Sequence, residues 1–227
     1  MSAASSLQTQ GERLSEAQQA KLVLTVLDET RQLSRMTDNT LQLARLEAPG
    51  VTLQMDWESA EELVGAALRR VRLRHPEAAR RLRSRVAAPL PLLRCDALLL
   101  AQLLDNLADN ALRYAPEGPV ELLVRHDEAS AQLVLAVRDR GPGVPPAARR
   151  RIFEPFQRGE LLDRERPDGV AGRRGAGVGL AACRAIARAH GGELRLRVRG
   201  HGGASFECWL PLPPTPEPEP ELQGHSP

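Results

Sequence analysis

The clearest periodicity along the chain lies between residues 97 and 115. There Leu100, Leu103, Leu104, Leu107 and Ala111 fall on one face of a helix, and Asp96 stands where an N-cap is needed. Asn106, Asn110 and Arg113 sit at i, i+4 and i+7 on a different face, so two amide carbonyls and a guanidinium line up away from the core. A longer helical pattern opens with the capping box Ser15-Glu-Ala-Gln18. Behind it Leu22, Val26, Glu29, Leu33, Met36, Thr40 and Leu43 keep heptad a/d spacing. That stripe fits either a helix packed on its own domain or the second helix of a dimerising four-helix bundle. Residues 1–10 read as the end of an earlier helix and 11–14 as the turn between them. Pro49-Gly50 stops the long helix.

Beyond it the periods are shorter. Val51, Leu53, Met55 and Trp57 alternate with polar residues, which predicts a strand over 51–57 with one buried face. Ser59-Ala-Glu-Glu62 is a second capping box, and its helix runs to Arg74, where His75-Pro76 ends it. Arginines over 80–85 alternate with Leu82, Ser84 and Val86 as in an exposed strand; a nucleic-acid patch is the sharper alternative. Residues 90–95 read as a further strand. Residues 120–125 and 132–138 predict one antiparallel pair, and 193–199 with 205–210 a second. Strands and helices are interleaved, so the fold class is α+β: a two-layer α/β sandwich with a mixed sheet and helices on one face. The chain divides into helices over 1–48, a globular domain over 49–213, and a Pro/Glu-rich tail over 214–227 too polar to form a core and therefore disordered.

Composition narrows the chemistry. The 227 residues allow one good core and an appendage. A net charge of +2 counts against a dedicated nucleic-acid binder. Lys21 is the one lysine and lies in no glycine-rich context, so the phosphate-binding lysine of a P-loop or a protein-kinase fold is excluded. Cys95, Cys183 and Cys208 are widely spaced without a CxxC pair, which predicts reduced cytoplasmic thiols rather than disulfides or zinc. No run approaches the ~18 apolar residues of a membrane span, and the N-terminus lacks a basic-then-apolar signal.

Four segments carry the candidate chemistry: LLDNLADNALRYA (103–115), VRDRGPGVP (137–145), IFEPFQRGE (152–160) and GAGVGLAACRAIARAHGG (175–192). An amide oxygen such as that of Asn110 is a hard ligand suited to Mg²⁺. Asp139 ends a strand before Gly141 and Gly143. A carboxylate there can accept from an exocyclic amine, and the glycines let backbone approach a flat ring; a turn-capping aspartate is the competing reading. Gly175, Gly177 and Gly179, with Leu180, open a helix running to about His190, and free N–H groups at such an end favour phosphate. The segment comes after a polar loop rather than a strand, which argues against a dinucleotide fingerprint. Residues 156–175 read as a lid hinged by glycines and anchored at its start by Phe153 and Phe156, or else as a plain surface loop.

In this order the four segments resemble the N, first-glycine, phenylalanine and second-glycine boxes of sensor histidine kinases, whose catalytic domains bind ATP in the Bergerat fold. The resemblance implies a Mg-ATP site. In it Asn110 holds Mg²⁺, Asn106 and Asn110 are catalytic, and Asp139 reads the adenine amino group beside Gly141 and Gly143. Arg113 and Arg158 become phosphate contacts, and Gly175, Gly177, Gly179 and Leu180 cradle the phosphates. Tyr114 becomes an adenine-side aromatic, with an ordinary core tyrosine as the alternative. Hydrolytic relatives carry a glutamate four residues before the metal-binding asparagine. Here that position is Asn106, an amide that cannot act as a general base, so ATP is expected to be held for transfer rather than hydrolysis.

The run RMTDNTLQLARLE, VTLQMDW, SAEELVGAALRRV resembles the potassium-responsive Kdp-type sensor kinases in particular. It implies a potassium or osmotic response, a response-regulator receiver domain as partner, and a homodimer in a full-length protein at the inner membrane. His75, His126, His190, His201 and His225 all lack the acidic residue and Arg-Thr-Pro run of a phosphoacceptor. SAASSLQTQGERLSEAQ resembles the segment just after the acceptor in Kdp-type kinases. The expectation is therefore an acceptor upstream of Met1 and no autophosphorylation on a matched histidine of this chain. An ATP-gated interaction module and a Bergerat-fold ATPase remain the other readings.

Overall fold

The structure, a computed structural model, describes residues 15–87, 89–157 and 177–213. Two compact units are distinguished: Met1–Val51 with Pro145–Ala185, and Thr52–Val144 with Ile186–Pro227. The expected helix over 1–10, most of the lid and the tail over 214–227 lie outside the described residues.

In the first unit, helix α1 (Glu16–Glu47) begins as its capping box predicts. Ser15 Oγ accepts from the Gln18 N–H, and the Gln18 side chain accepts from the Ser15 N–H. Ala48 caps the other end in an extended conformation, and Gly50 turns the chain at φ +78. Of the heptad positions only Leu43 is buried, in a cluster with Val178 and Ala181. Leu33 is 64% exposed, and Val23, Leu24, Leu27 and Leu41 are also exposed. Two short 3-10 turns, Pro146–Ala148 and Arg151–Phe153, belong to the same unit.

The second unit is built on a five-stranded sheet. Strands β1 (Asp56–Glu58) and β3 (Leu93–Cys95) form a small antiparallel ladder of their own. Strands β2 (Leu82–Val86), β4 (Val120–Asp127), β5 (Gln132–Arg138), β6 (Glu193–Val198) and β7 (Ala204–Pro211) make the main sheet in the order β2-β4-β5-β7-β6. Only β2 and β4 run parallel, so the sheet is mixed, as expected. Helices α2 (Ala60–Arg74) and α3 (Ala97–Tyr114) supply its cover, α2 against β2 and β4, α3 against β4 and β5. Leu100, Leu103, Leu104 and Leu107 of α3 are fully buried, as are Leu122, Leu133 and Leu135 of the sheet. That shared apolar seam is the main favourable term holding the layers together. Helix α4 (Gly179–Ala189) starts in the first unit and ends in the second.

Three expected elements are corrected. The strand over 51–57 shrinks to Asp56–Glu58, because its ladder partner is only the three residues Leu93–Cys95; alternation without a partner leaves 51–55 without strand pairing. The strand over 90–95 is trimmed for the same reason. At 80–81 the chain is still in the 3-10 helix Pro76–Arg81, set going by Pro76, and strand β2 begins only at Leu82.

Candidate functional site

Helix α3 presents three faces, and each does something different. The leucine face is buried. A second face carries Asp105 and Asp109 toward α2. Arg70 Nε and Arg74 Nη1 lie 3.1 and 2.9 Å from Asp105 Oδ2, and Arg74 Nη2 and His75 Nε2 lie 3.3 and 3.1 Å from Asp109 Oδ1. The third face carries Asn106, Asn110 and Arg113, all half-buried. Among the described residues the side chains of Asn110 and Arg113 have no hydrogen-bond or ion-pair partner, so an amide oxygen and a guanidinium are available to a ligand. Tyr114, the last residue of the helix, is 39% exposed and so is not a core tyrosine.

Asp139 comes directly after β5 and is 5% exposed. Its Oδ1 accepts from the N–H of Gly141 at 2.8 Å and from that of Ala204 at 3.2 Å. Its own backbone is pinned on both sides: the N–H donates to the Ala204 carbonyl at 2.9 Å, and the carbonyl accepts from Arg199 Nη1 at 2.8 Å. Oδ2 takes no donor among the described residues. A carboxylate fixed through one oxygen keeps the other as an acceptor that a ligand donor could use. The loop after it lies on the end of α3. A Cβ on Gly141 would come within 2.8 Å of the Tyr114 carbonyl, so only glycine lets this loop approach the helix so closely. The expected adenine-side residues Tyr114, Asp139, Gly141 and Gly143 are thus brought together with the end of the asparagine row.

Two glycines outside the four sequence motifs belong to the same construction. Gly203, at φ +88, stands where a Cβ would fall 2.1 Å from the Asp139 carbonyl, and its own carbonyl lies 3.2 Å from the Cβ position of Gly143. Gly202, at φ +80, turns the chain just before it. A Gly-Gly pair between two strand-forming runs was the available signal, and it reads as an ordinary hairpin turn until the strands are placed.

In the first unit, Gly177 precedes α4 at φ +72. A Cβ there would lie 2.8 Å from the Gln157 carbonyl, and the Gly177 carbonyl accepts from the Phe156 N–H at 3.0 Å. Phe156 is 60% exposed and itself at φ +61, so it meets Gly177 through its backbone and does not bury its ring. Phe153 lies beneath Arg184, whose guanidinium carbon is 6.0 Å from the ring centroid. Gly179 and Leu180 form the first turn of the helix. Arg158 and Gly175 lie outside the described residues.

Comparison with known proteins agrees with this architecture. Residues 95–214 match the family described as Histidine kinase-, DNA gyrase B-, and HSP90-like ATPase. The sensor protein KdpD of Escherichia coli (strain K12) is 35% identical over 78% of this chain and 19% of its own length. KdpD of Clostridium acetobutylicum is 28% identical over 92% of the chain and 22% of its own length, so the chain spans about a fifth of these relatives. A crystal structure of full-length ShkA in complex with AMPPNP aligns with a TM-score of 0.67 at 29% identity, covering 87% of this chain and 39% of that one. The histidine kinase AdeS of Acinetobacter baumannii aligns with a TM-score of 0.63 over 87% of this chain and 85% of that one; at 21% identity it speaks for the fold alone. The fold is the Bergerat fold, and the chain belongs to the histidine kinase-, DNA gyrase B- and HSP90-like ATPase family.

Proposed function

We propose that this chain is the ATP-binding catalytic portion of a sensor histidine kinase of the Kdp type. It would hold ATP for transfer of the γ-phosphate to a histidine outside the chain, and thence to the receiver domain of a response regulator. The observation that carries the reading is the Asp139 carboxylate, buried and fixed through Oδ1 with Oδ2 open, beside the end of the asparagine row. Asp139 would accept from the adenine amino group, with Gly141 and Gly143 under the ring and Tyr114 at its edge. Arg113 would meet the phosphates, as would Arg158 and the segment Gly175, Gly177, Gly179 and Leu180.

The residues also fit Mg²⁺. Among the described residues Asn110 offers an amide oxygen with no protein partner. Such an oxygen suits a hard cation that takes one or two protein ligands and completes its shell with phosphate and water oxygens. When bound, Mg²⁺ would neutralise phosphate charge. Asn106 cannot take a proton from water, which favours phosphotransfer over hydrolysis.

The proposed division of the chain is into helices over 1–48, the ATP-binding domain over 49–213 and the tail over 214–227. Exposed Leu33, with Leu24 and Leu27, supports a role for α1 in a homodimer. No described helix is long and apolar enough to cross a membrane. A place on the cytoplasmic side, in a longer protein at the inner membrane, is part of the same proposal. So is a potassium or osmotic stimulus, which rests on the likeness to KdpD.

Calorimetric titration with a non-hydrolysable ATP analogue, with and without Mg²⁺, tests the site. Asp139→Asn should weaken binding by about 10- to 100-fold, since one charge-assisted hydrogen bond is at stake, and Asn110→Ala should abolish the Mg²⁺ dependence. Unchanged affinity in both variants would refute the proposal.

A further inference from the structure

His190 has no part in the proposed nucleotide site, yet both of its ring nitrogens are engaged and the residue is 7% exposed. The backbone N–H of Asp96 donates to His190 Nε2 at 3.0 Å, and Nδ1 lies 2.8 Å from the carbonyl of Ile186. A backbone N–H only donates and a carbonyl only accepts. The lone pair is therefore on Nε2 and the proton on Nδ1, so two backbone groups from distant parts of the chain dictate one neutral tautomer.

The place of this contact gives it consequence. Asp96 is the N-cap of α3: its Oδ1 accepts from the Leu99 N–H and its Oδ2 from the Gln54 N–H, both at 3.2 Å. With the carboxylate occupied, the remaining donor of that residue is answered by His190. The ring itself is held at a fixed point beyond α4. Gly191, at φ +72, donates to the Arg188 carbonyl at 2.9 Å, and Gly192 donates to the Ala187 carbonyl at 2.8 Å. A Cβ on Gly192 would fall 2.2 Å from the Trp209 carbonyl, so the backbone beside the histidine lies directly on β7.

We propose that His190 is a positioning residue for the asparagine helix. Its neutral imidazole ties the end of α4 to the N-cap of α3. A helix is stiff over this length, so a shift or roll at Asp96 carries Asn106 and Asn110 with it. The proposal rests on the nucleotide-site reading for its functional consequence, but not for the tie itself.

The test uses the purified chain with His190→Leu, which keeps apolar bulk and removes the acceptor, and His190→Gln, whose amide oxygen replaces Nε2. In the unaltered protein, imidazole ¹⁵N spectra should show the Nδ1-protonated neutral ring. His190→Leu should speed amide exchange at Asp96 and weaken binding of the non-hydrolysable ATP analogue about tenfold, the worth of one hydrogen bond. His190→Gln should restore both to within about threefold of the unaltered chain. An Nε2-protonated ring, unchanged exchange and affinity in the leucine variant, or no rescue by glutamine overturns the proposal. If His190→Leu does not fold, the tautomer and the glutamine variant decide. If the unaltered chain binds no analogue, the nucleotide reading falls and so does the functional role. The tautomer and the exchange at Asp96 then still decide whether the tie exists.

Discussion

Gly203 shows how little room surrounds the Asp139 carboxylate. With a Cβ position 2.1 Å from the Asp139 carbonyl and φ at +88, alanine there must displace the very residue that the site depends on. Gly203→Ala should cost about 1–3 kcal/mol of stability from backbone strain and should abolish analogue binding. Gly200→Ala is the control, because nothing lies within 4 Å of its Cβ position. Chemical denaturation and calorimetry on both would settle it; a Gly203 variant as stable as the control would show that the loop yields. Trp209 is an example of the opposite kind. Arg125 and Arg195 stack on its ring at 4.9 and 4.6 Å from the centroid, while its buried Nε1 has no hydrogen-bond partner among the described residues. Its worth lies in the ring and the guanidinium stack rather than in its N–H.

Among the elements, α3 is the one through which packing and chemistry meet. Its aspartate row faces α2 one position before its asparagine row at each step, so whatever fixes Asp105 and Asp109 also fixes Asn106 and Asn110. Arg74 is the centre of that contact. Burial works against its charge, but the hydrogen bond to Asp105 and the charges of Asp109 and Asp105 outweigh it and hold its pKa above the ordinary arginine value. The Arg74 side chain is still 34% exposed, so solvent screens much of the gain. A double-mutant cycle between Arg74→Ala and Asp105→Ala should give a coupling of about 0.5–1 kcal/mol that shrinks with added salt. Zero coupling at low salt would mean that the apolar seam alone sets the helix.

For the whole chain, the buried thiols set a limit on the alkaline side. Burial pushes Cys208 from the ordinary 9.0 up to about 12, and burial together with Glu58, Asp96 and Asp56 does the same to Cys95. The fold binds these protons more tightly than the unfolded chain does. Their stabilising contribution is therefore complete below pH 9.0 and is lost progressively as pH rises toward about 12. The denaturation midpoint should fall over that range and fall less in Cys95→Ala or Cys208→Ala when each is compared with its own value at pH 8. Parallel profiles would contradict the assignment.

Features that depend on neighbours within about one helical turn were legible in the residues alone. The caps at Ser15, Ser59 and Asp96, the faces of α3 and the span of β5 could all be read directly, because each arises from local hydrogen bonds and side-chain period. Features that need a distant partner emerged only with the folded chain. Strand β1 is three residues long because β3 is, β2 runs parallel to β4, and β7 lies between β5 and β6. The Asp139 carboxylate is held from Ala204, 65 positions away, and His190 meets Asp96 across 94. No local pattern records such pairings, since a backbone donor or acceptor looks the same in the sequence whatever it meets in the fold.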